Sequence, residues 1–196
     1  NIAGGLEVGE PAVDLGIVKD DPKAISAALR KALSQADVVV ATGGVSVGDF
    51  DYIKSLFPKL GIREIFWRVA VKPGKPLLFG IHETKIVFGL PGNPLSVLVC
   101  FEEFVRPALD KIAGRAQRRS YHLMGKAAND FLKPKDRQQH LFCRAQKGPN
   151  GYKLKIIRPQ GSAMLAKAAS ADALAIAPIG VGLVKRGDDL AFRWLD

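Results

Sequence analysis

The chain has little of what secreted or membrane-bound proteins rely on. Only 2 of its 196 residues are cysteine. Cys100 and Cys143 each sit among apolar neighbours, which reads as two small packing groups and not as a disulfide framework. No apolar run reaches the ~20 residues that a membrane-spanning helix needs. No basic segment followed by a long apolar stretch opens the sequence, so no secretory leader is expected. These absences place the chain in a reducing, cytoplasmic setting with no membrane partner. Repeats and low-complexity tracts are also missing, while hydrophobic residues reach 47%. That is enough for a packed core, and it excludes global disorder.

Acidic residues are scarce in one part only. Residues 1–114 hold 13 Lys+Arg and 13 Asp+Glu, residues 115–196 hold 16 and 6, and the net charge of +10 therefore lies in the second part. The asymmetry implies two domains, the second attractive to anions such as nucleic acid, an acidic partner or a phosphorylated small molecule. No motif of stacking aromatics and basic residues accompanies it, so nucleic acid is not the expected partner. A solvated basic surface accounts for most of the excess.

What is present is an alternation of strands and helices. Ala12–Ile17 reads as a short strand. Asp21 and Pro22 can open a helix, and Ile25, Leu29 and Leu33 form its apolar face. Asp37–Thr42 is β-branched with little alternation, as for a strand covered on both sides. Tyr52, Ile53, Leu56, Phe57 and Leu60 predict a helix ending near Gly61. Glu64–Val71, Pro76–Gly80 and Lys85–Leu90 are further strands. Asn93-Pro94 opens a long helix with Leu95, Leu98, Val105, Leu109 and Ile112 facing inward, stopping at Gly114. This order predicts an α/β sheet with helices on both faces. After Arg115 the segments YHLMGKA, HLFCRA, YKLKIIRP, ALAIAPI and LAFRWL, separated by turns such as GPNG and RGDD, predict a small all-β barrel or sandwich. Trp67 and Trp194 read as core residues. His140-x-x-Cys143 has metal-like spacing, but a structural zinc site takes four ligands and no second pair is present.

Chemistry is expected where strands end, because ligands of α/β sheets bind outside the carboxyl ends of the strands. TGGVSVGDFDY (Thr42–Tyr52) leaves a strand through two glycines, which let the backbone turn and approach a ligand closely. The following helix start offers N–H groups to an anion. Asp49 and Asp51 then stand beside a phosphate-type loop, where a divalent cation takes oxygen ligands; Asp49 read alone is equally a helix cap. KPGKP (Lys72–Pro76) sets Lys72 and Lys75 on a stiff turn. GLPGNP (Gly89–Pro94) again joins a strand to a helix start.

TGGVSVGDFDY, KPGKP and GLPGNPLS, in this order, resemble the molybdopterin molybdenumtransferase family, known as MoeA in bacteria and as the E domain of gephyrin in animals. LGIVKDDP (Leu15–Pro22) and RPQGSAML (Arg158–Leu165) match it as well. The resemblance implies a molybdopterin-binding (MogA-like) three-layer α/β domain with a mostly parallel sheet over residues 1–114, and a barrel-like β domain over 115–196. It also implies two further N-terminal domains, and one further strand and helix before LGIV, that this sequence lacks. The implied reaction inserts molybdenum from molybdate into adenylylated molybdopterin and releases AMP, with Mg2+ present. Asp51 would serve metal binding, with Asp49, and adenylate cleavage. Asp20 or Asp21 would be a second acidic position. Thr42, Gly43, Gly44, Ser46, Gly48, Pro91, Gly92, Asn93 and Pro94 would hold the pterin substrate. Lys72 and Lys75 would neutralise phosphate, and Lys75, Ser96, Arg144 and Ser162 would hold molybdate. A homodimer is implied, with the adenylyltransferase as a further partner. The alternatives are that adenylyltransferase itself, which shares the α/β domain, and a non-enzymatic gephyrin-like scaffold. KPGKP and the β domain argue against the first, and the acid–lysine loops against the second.

Overall fold

The computed structural model describes residues 11–45, 52–116, 121–158 and 168–195. The chain divides into two compact units, Asn1–Val69 with Gly74–Gln117 and Ala70–Pro73 with Arg118–Asp196.

The first unit opens, within the described residues, on an irregular segment. Ala12–Ile17 is not the expected strand. Gly16 takes φ 76°, which breaks an extended run, and Val13 and Ile17 are exposed. Helix α1 (Pro22–Gln35) follows, its first turn capped by Asp21, and it buries Ile25, Leu29 and Leu33 as the four-residue spacing predicts. Strand β1 (Val38–Thr42) comes next, and after residue 51 a short helix α2 (Tyr52–Leu56) and a 3-10 turn, Pro58–Leu60. That turn ends at left-handed Gly61. The strand expected over Glu64–Val71 is broken in two. Strand β2 (Arg63–Trp67) stays in the first unit, Arg68 reverses the backbone at φ 74°, and strand β3 (Val71–Lys72) joins the second unit. Strands β4 (Leu78–His82) and β5 (Lys85–Leu90) form a hairpin.

The sheet runs β1-β5-β4-β2, with β1–β5 parallel and the other two pairings antiparallel. The described strands thus make a mixed sheet and not the mostly parallel one expected, because the tight β4–β5 connection permits only antiparallel pairing. Alternation along the strands feeds two cores. Val39, Val87 and Leu78 pack with α1 and α2 residues, whereas Phe88, Leu90 and Leu77 pack with Cys100, Phe101 and Val105. Lys85 ties the sheet to α1: its Nζ donates to Leu33 O at 2.6 Å and Ala36 O at 3.2 Å, where a helix C-terminus welcomes a cation. The final helix runs as α3 (Pro94–Cys100), a π-helical segment (Phe101–Val105) and α4 (Arg106–Ile112). The wider π turn shifts the phase of the buried face. Leu98, expected inward, is exposed because α3 buries the stripe of Leu95, Ser96, Val99 and Cys100, and Ile112, beyond the π turn, is exposed as well.

The second unit is a closed sheet. Strands β6 (Leu123–Ala127), β8 (Gln138–Gly148), β9 (Gly151–Ile156), β10 (Ala173–Ala177) and β12 (Asp189–Trp194) pair in a ring, and a small ribbon pairs β7 (Phe131–Leu132) with β11 (Leu183–Val184). The eleven-residue β8 takes three partners in succession: β3, β10 and β9. Ala127, Leu141, Cys143, Leu154, Ala175, Val184 and Phe192 fill the interior. Buried Lys133 is held by the carbonyls of Pro134, Pro178 and Val181 at 2.8–2.9 Å, so all three ammonium protons are used. Trp194, expected in the core, is 39% exposed at the strand's end, edge-on to Tyr152 and Phe192. His140 and Cys143 lie an odd number of residues apart on β8, so their side chains leave opposite faces of the strand.

Candidate functional site

Strand direction brings the first unit's loops together. β2 is antiparallel to β4, and β4 to β5, so β2 points the same way as β1 and β5. The glycine turn after β1, the Arg68–Lys75 segment after β2 and the Pro91–Asn93 turn after β5 therefore leave one edge of the sheet, which is where α/β sheets bind ligands.

The first and third loops touch. Gly43 N–H donates to Leu90 O at 2.9 Å, extending the parallel ladder by one residue. Gly43 and Gly44 have φ 85° and 64°, conformations that favour glycine. A Cβ on Gly92 would lie 3.6 Å from Gly43 Cα, while one on Gly43 would meet nothing within 4 Å. The two backbones approach closely and the outward side of Gly43 is open. Val45 is fully buried and fills the space over Gly89, where a Cβ would come within 2.6 Å of its Cγ1.

The second loop rests on α3. Gly74 takes φ 117°, and a Cβ there would lie 2.6 Å from Cys100 Sγ and 3.9 Å from Ser96 O. Val69 N–H donates to Lys75 O at 2.9 Å, and Leu77 N–H to Gly74 O at 3.3 Å. Lys75 is exposed, while Lys72 is half-buried on β3 in the second unit. Burial, with Glu103 adding, pushes the Cys100 thiol up to about 12, so it stays protonated and acts as a packing group.

Several expected residues have other duties. Asn93 caps α3, its Oδ1 accepting from Leu95 N–H at 3.1 Å and Ser96 N–H at 3.2 Å, so two of the N–H groups expected to face an anion are occupied. Ser96 is buried. Asp21 Oδ2 accepts from Ala24 N–H at 2.8 Å, and Asp20 is exposed just before it. Arg144 is exposed on β8 in the second unit and donates from Nε to Ser170 O at 2.9 Å. Ser46, Gly48, Asp49, Asp51 and Ser162 lie outside the described residues. Among the described residues, which do not include Asp49 and Asp51, no group of three or more His, Cys, Asp or Glu is placed to hold a metal ion.

Trp67 packs against the first core, as expected, and its polar contacts also reach this edge, which sequence reasoning missed. Its Nε1–H donates to Val45 O at 3.0 Å, the Lys54 ammonium stands 3.4 Å from the ring centroid, and the Arg68 guanidinium 4.0 Å. The signal in the sequence was a Trp-Arg pair at a strand end, read as core.

Residues 5–111 match the family model described as "Probable molybdopterin binding domain", and residues 124–193 match the "MoeA C-terminal region (domain IV)". The chain is 34% identical over 187 residues to a molybdopterin molybdenumtransferase of Nostoc sp., covering 93% of this chain and 43% of the relative. It is 45% identical over 105 residues to the Haemophilus influenzae enzyme of that name, covering 54% of this chain and 26% of the relative. The crystal structure of a molybdopterin biosynthesis MoeA protein from Pyrococcus horikoshii is similar with TM-score 0.79 and 27% identity, over 98% of this chain and 46% of that one. The chain thus spans less than half the length of these relatives.

Proposed function

The chain belongs to the MoeA family of molybdopterin-binding proteins, and from that premise we propose that it supplies the pterin-binding and C-terminal domains of a molybdopterin molybdenumtransferase. The reaction is transfer of molybdenum from molybdate to the dithiolene of adenylylated molybdopterin, with release of AMP. The observation that carries the proposal is the pair of strand-end turns that touch, Gly92 against Gly43, on the edge from which β2 also exits.

The glycine backbones of Gly43, Gly44 and Gly92, with Thr42, Ser46, Gly48, Pro91, Asn93 and Pro94, take the pterin phosphate end. Close approach of main-chain N–H groups suits a phosphate. Lys72 and Lys75 offset its charge as compact ammonium groups. Asp51 and Asp49 are assigned to Mg2+, on the preference of hard cations for carboxylate oxygen. Asp20 or Asp21 is the second acidic position. Lys75, Ser96, Arg144 and Ser162 are assigned to molybdate. Domain limits of 1–114 and 115–196, a three-layer first domain, a homodimer, delivery of substrate by the adenylyltransferase and a cytoplasmic location complete the proposal. The two cores on the two faces of the sheet support the layering.

The test is AMP release from adenylylated molybdopterin by the protein at its full natural length. Molybdate-dependent AMP is expected, and Asp51→Asn should abolish it with little change in melting temperature. Consumption of ATP to make adenylylated pterin would overturn the proposal in favour of the adenylyltransferase. Near-normal turnover by Asp51→Asn would remove that residue from the mechanism.

A further inference from the structure

We propose that Trp67 is a positioning residue that holds the end of the glycine turn, at Val45, to α2, and so sets the geometry of Gly43 and Gly44 toward the pterin; the ligand part of this inference rests on the function proposed above. Trp67 touches the chain at Val45, at the end of the glycine turn, and at Lys54, in α2. On the near side its indole N–H donates to Val45 O at 3.0 Å. On the far side the Lys54 ammonium, within α2, lies 3.4 Å from the ring centroid.

Neither contact is loose. Val45 is 1% exposed and wedged over Gly89, so its carbonyl is held by buried packing. Lys54 also pairs with Glu64, three residues before Trp67 on its own strand, at 3.8 Å. Arg68 adds a second cation 4.0 Å from the same ring, on a backbone at φ 74° that a non-glycine residue adopts only under constraint. Trp67 also packs against the core formed with α1 and α2, and its N–H and ring face add directional contacts to that burial. An indole with its N–H bonded and its ring under two cations is fixed in position and orientation. The loop and helix start that it joins are linked directly by one further bond, Ile53 N–H to Gly44 O at 3.1 Å. That amide reports on the clasp without any ligand.

The experiment compares wild type with Trp67→Phe, which keeps a ring and removes the N–H. Amide exchange of Ile53 and the affinity for molybdopterin, by titration calorimetry, are read beside thermal unfolding. One hydrogen bond and part of a cation–π contact are lost. Ile53 exchange should accelerate about tenfold and the molybdopterin Kd rise about tenfold, while the α1 amides and the melting temperature stay near wild type. Unchanged Ile53 exchange overturns the proposal, as does faster exchange with unchanged Kd. If wild type binds no molybdopterin, the proposed function fails; Ile53 exchange then decides the clasp alone. Should Trp67→Phe unfold, Lys54→Met serves, since it keeps the indole N–H and removes one cation. It should raise Ile53 exchange about threefold, and no change there overturns the proposal.

Discussion

At His140 the strand interior and a nearby charge act in the same direction. The imidazole is buried on β8, its Nδ1 shares a hydrogen bond of 2.9 Å with the Tyr121 hydroxyl, and its Nε2 lies 3.4 Å from Gln138 Nε2. Burial, with Arg193 adding, pulls its pKa from 6.5 to about 4. The unfolded chain therefore binds the proton more readily than the native one between those values. This contribution to stability is complete above about pH 6.5 and is lost as pH falls toward 4, by about 3 kcal/mol. Urea unfolding at pH 7, 5.5 and 4.5 should show it, and His140→Gln should flatten the slope; parallel slopes would refute it. Gly74 raises a different issue. Its φ of 117° and the 2.6 Å approach of a Cβ to Cys100 Sγ leave no room for alanine. Gly74→Ala should cost about 2–3 kcal/mol in chemical denaturation. Adding Cys100→Ala should recover part, because it relieves the contact and not the backbone strain. Full recovery would mean that the backbone tolerates the residue.

Helix α1 offers a cleaner separation of structure from chemistry. Asp21 Oδ2 already accepts the Ala24 N–H, so its carboxylate serves as an N-cap. Asp21→Ala should cost about 1 kcal/mol, while Asp21→Ser keeps the cap. We expect Asp21→Ser to retain both stability and AMP release, which leaves the second acidic role to Asp20. Lost turnover at unchanged stability would reverse that assignment. The same helix shows what a sequence can reveal. Ile25, Leu29 and Leu33 repeat at a local period, and all three are buried. Lys85–Leu90 was legible to the residue because a buried strand is a continuous apolar run. The turns at Gly43, Gly44 and Gly74 were legible because their positive φ is a backbone demand that glycine meets. Ala12–Ile17 was misread because strand-like composition cannot supply a pairing partner. The break at Arg68 arises where the chain passes from one unit to the other, which is a tertiary matter. Leu98 was placed inward although α3 buries the stripe of Leu95, Ser96, Val99 and Cys100, and Ile112 lies beyond a π segment that changes the phase of a pattern that assumed one unbroken period. The polar contacts of Trp67 were missed because its partner Val45 lies 22 residues away, with nothing local to announce it.

Across the whole molecule the charge is separable from the proposed chemistry. Residues 115–196 hold 16 basic and 6 acidic residues, and residues 1–114 hold 13 of each. Molybdate would employ Arg144, and the three carbonyls around Lys133 engage one more cation. Arg115 pairs with Asp110, Lys126 with Asp189 and Arg137 with Asp136, but basic residues still outnumber acidic ones 16 to 6, and an excess of like charge destabilises the compact state. Screening should relieve this in the second unit and leave the neutral first part nearly unaffected. The protein carries its own reporters, because its two tryptophans fall in different units: Trp67 in the first and Trp194 in the second. In Trp67→Phe the fluorescence reports Trp194, and in Trp194→Phe it reports Trp67. Raising sodium chloride from about 0.01 M to about 0.15 M shortens the Debye length from about 30 Å to about 8 Å. The Trp194 midpoint should then rise by a few degrees, on the order of 1 kcal/mol for a unit of this size. The Trp67 midpoint should rise less. A Trp194 midpoint that stays or falls would show that the basic residues are already offset by partners within the fold, and that their excess carries no repulsive strain.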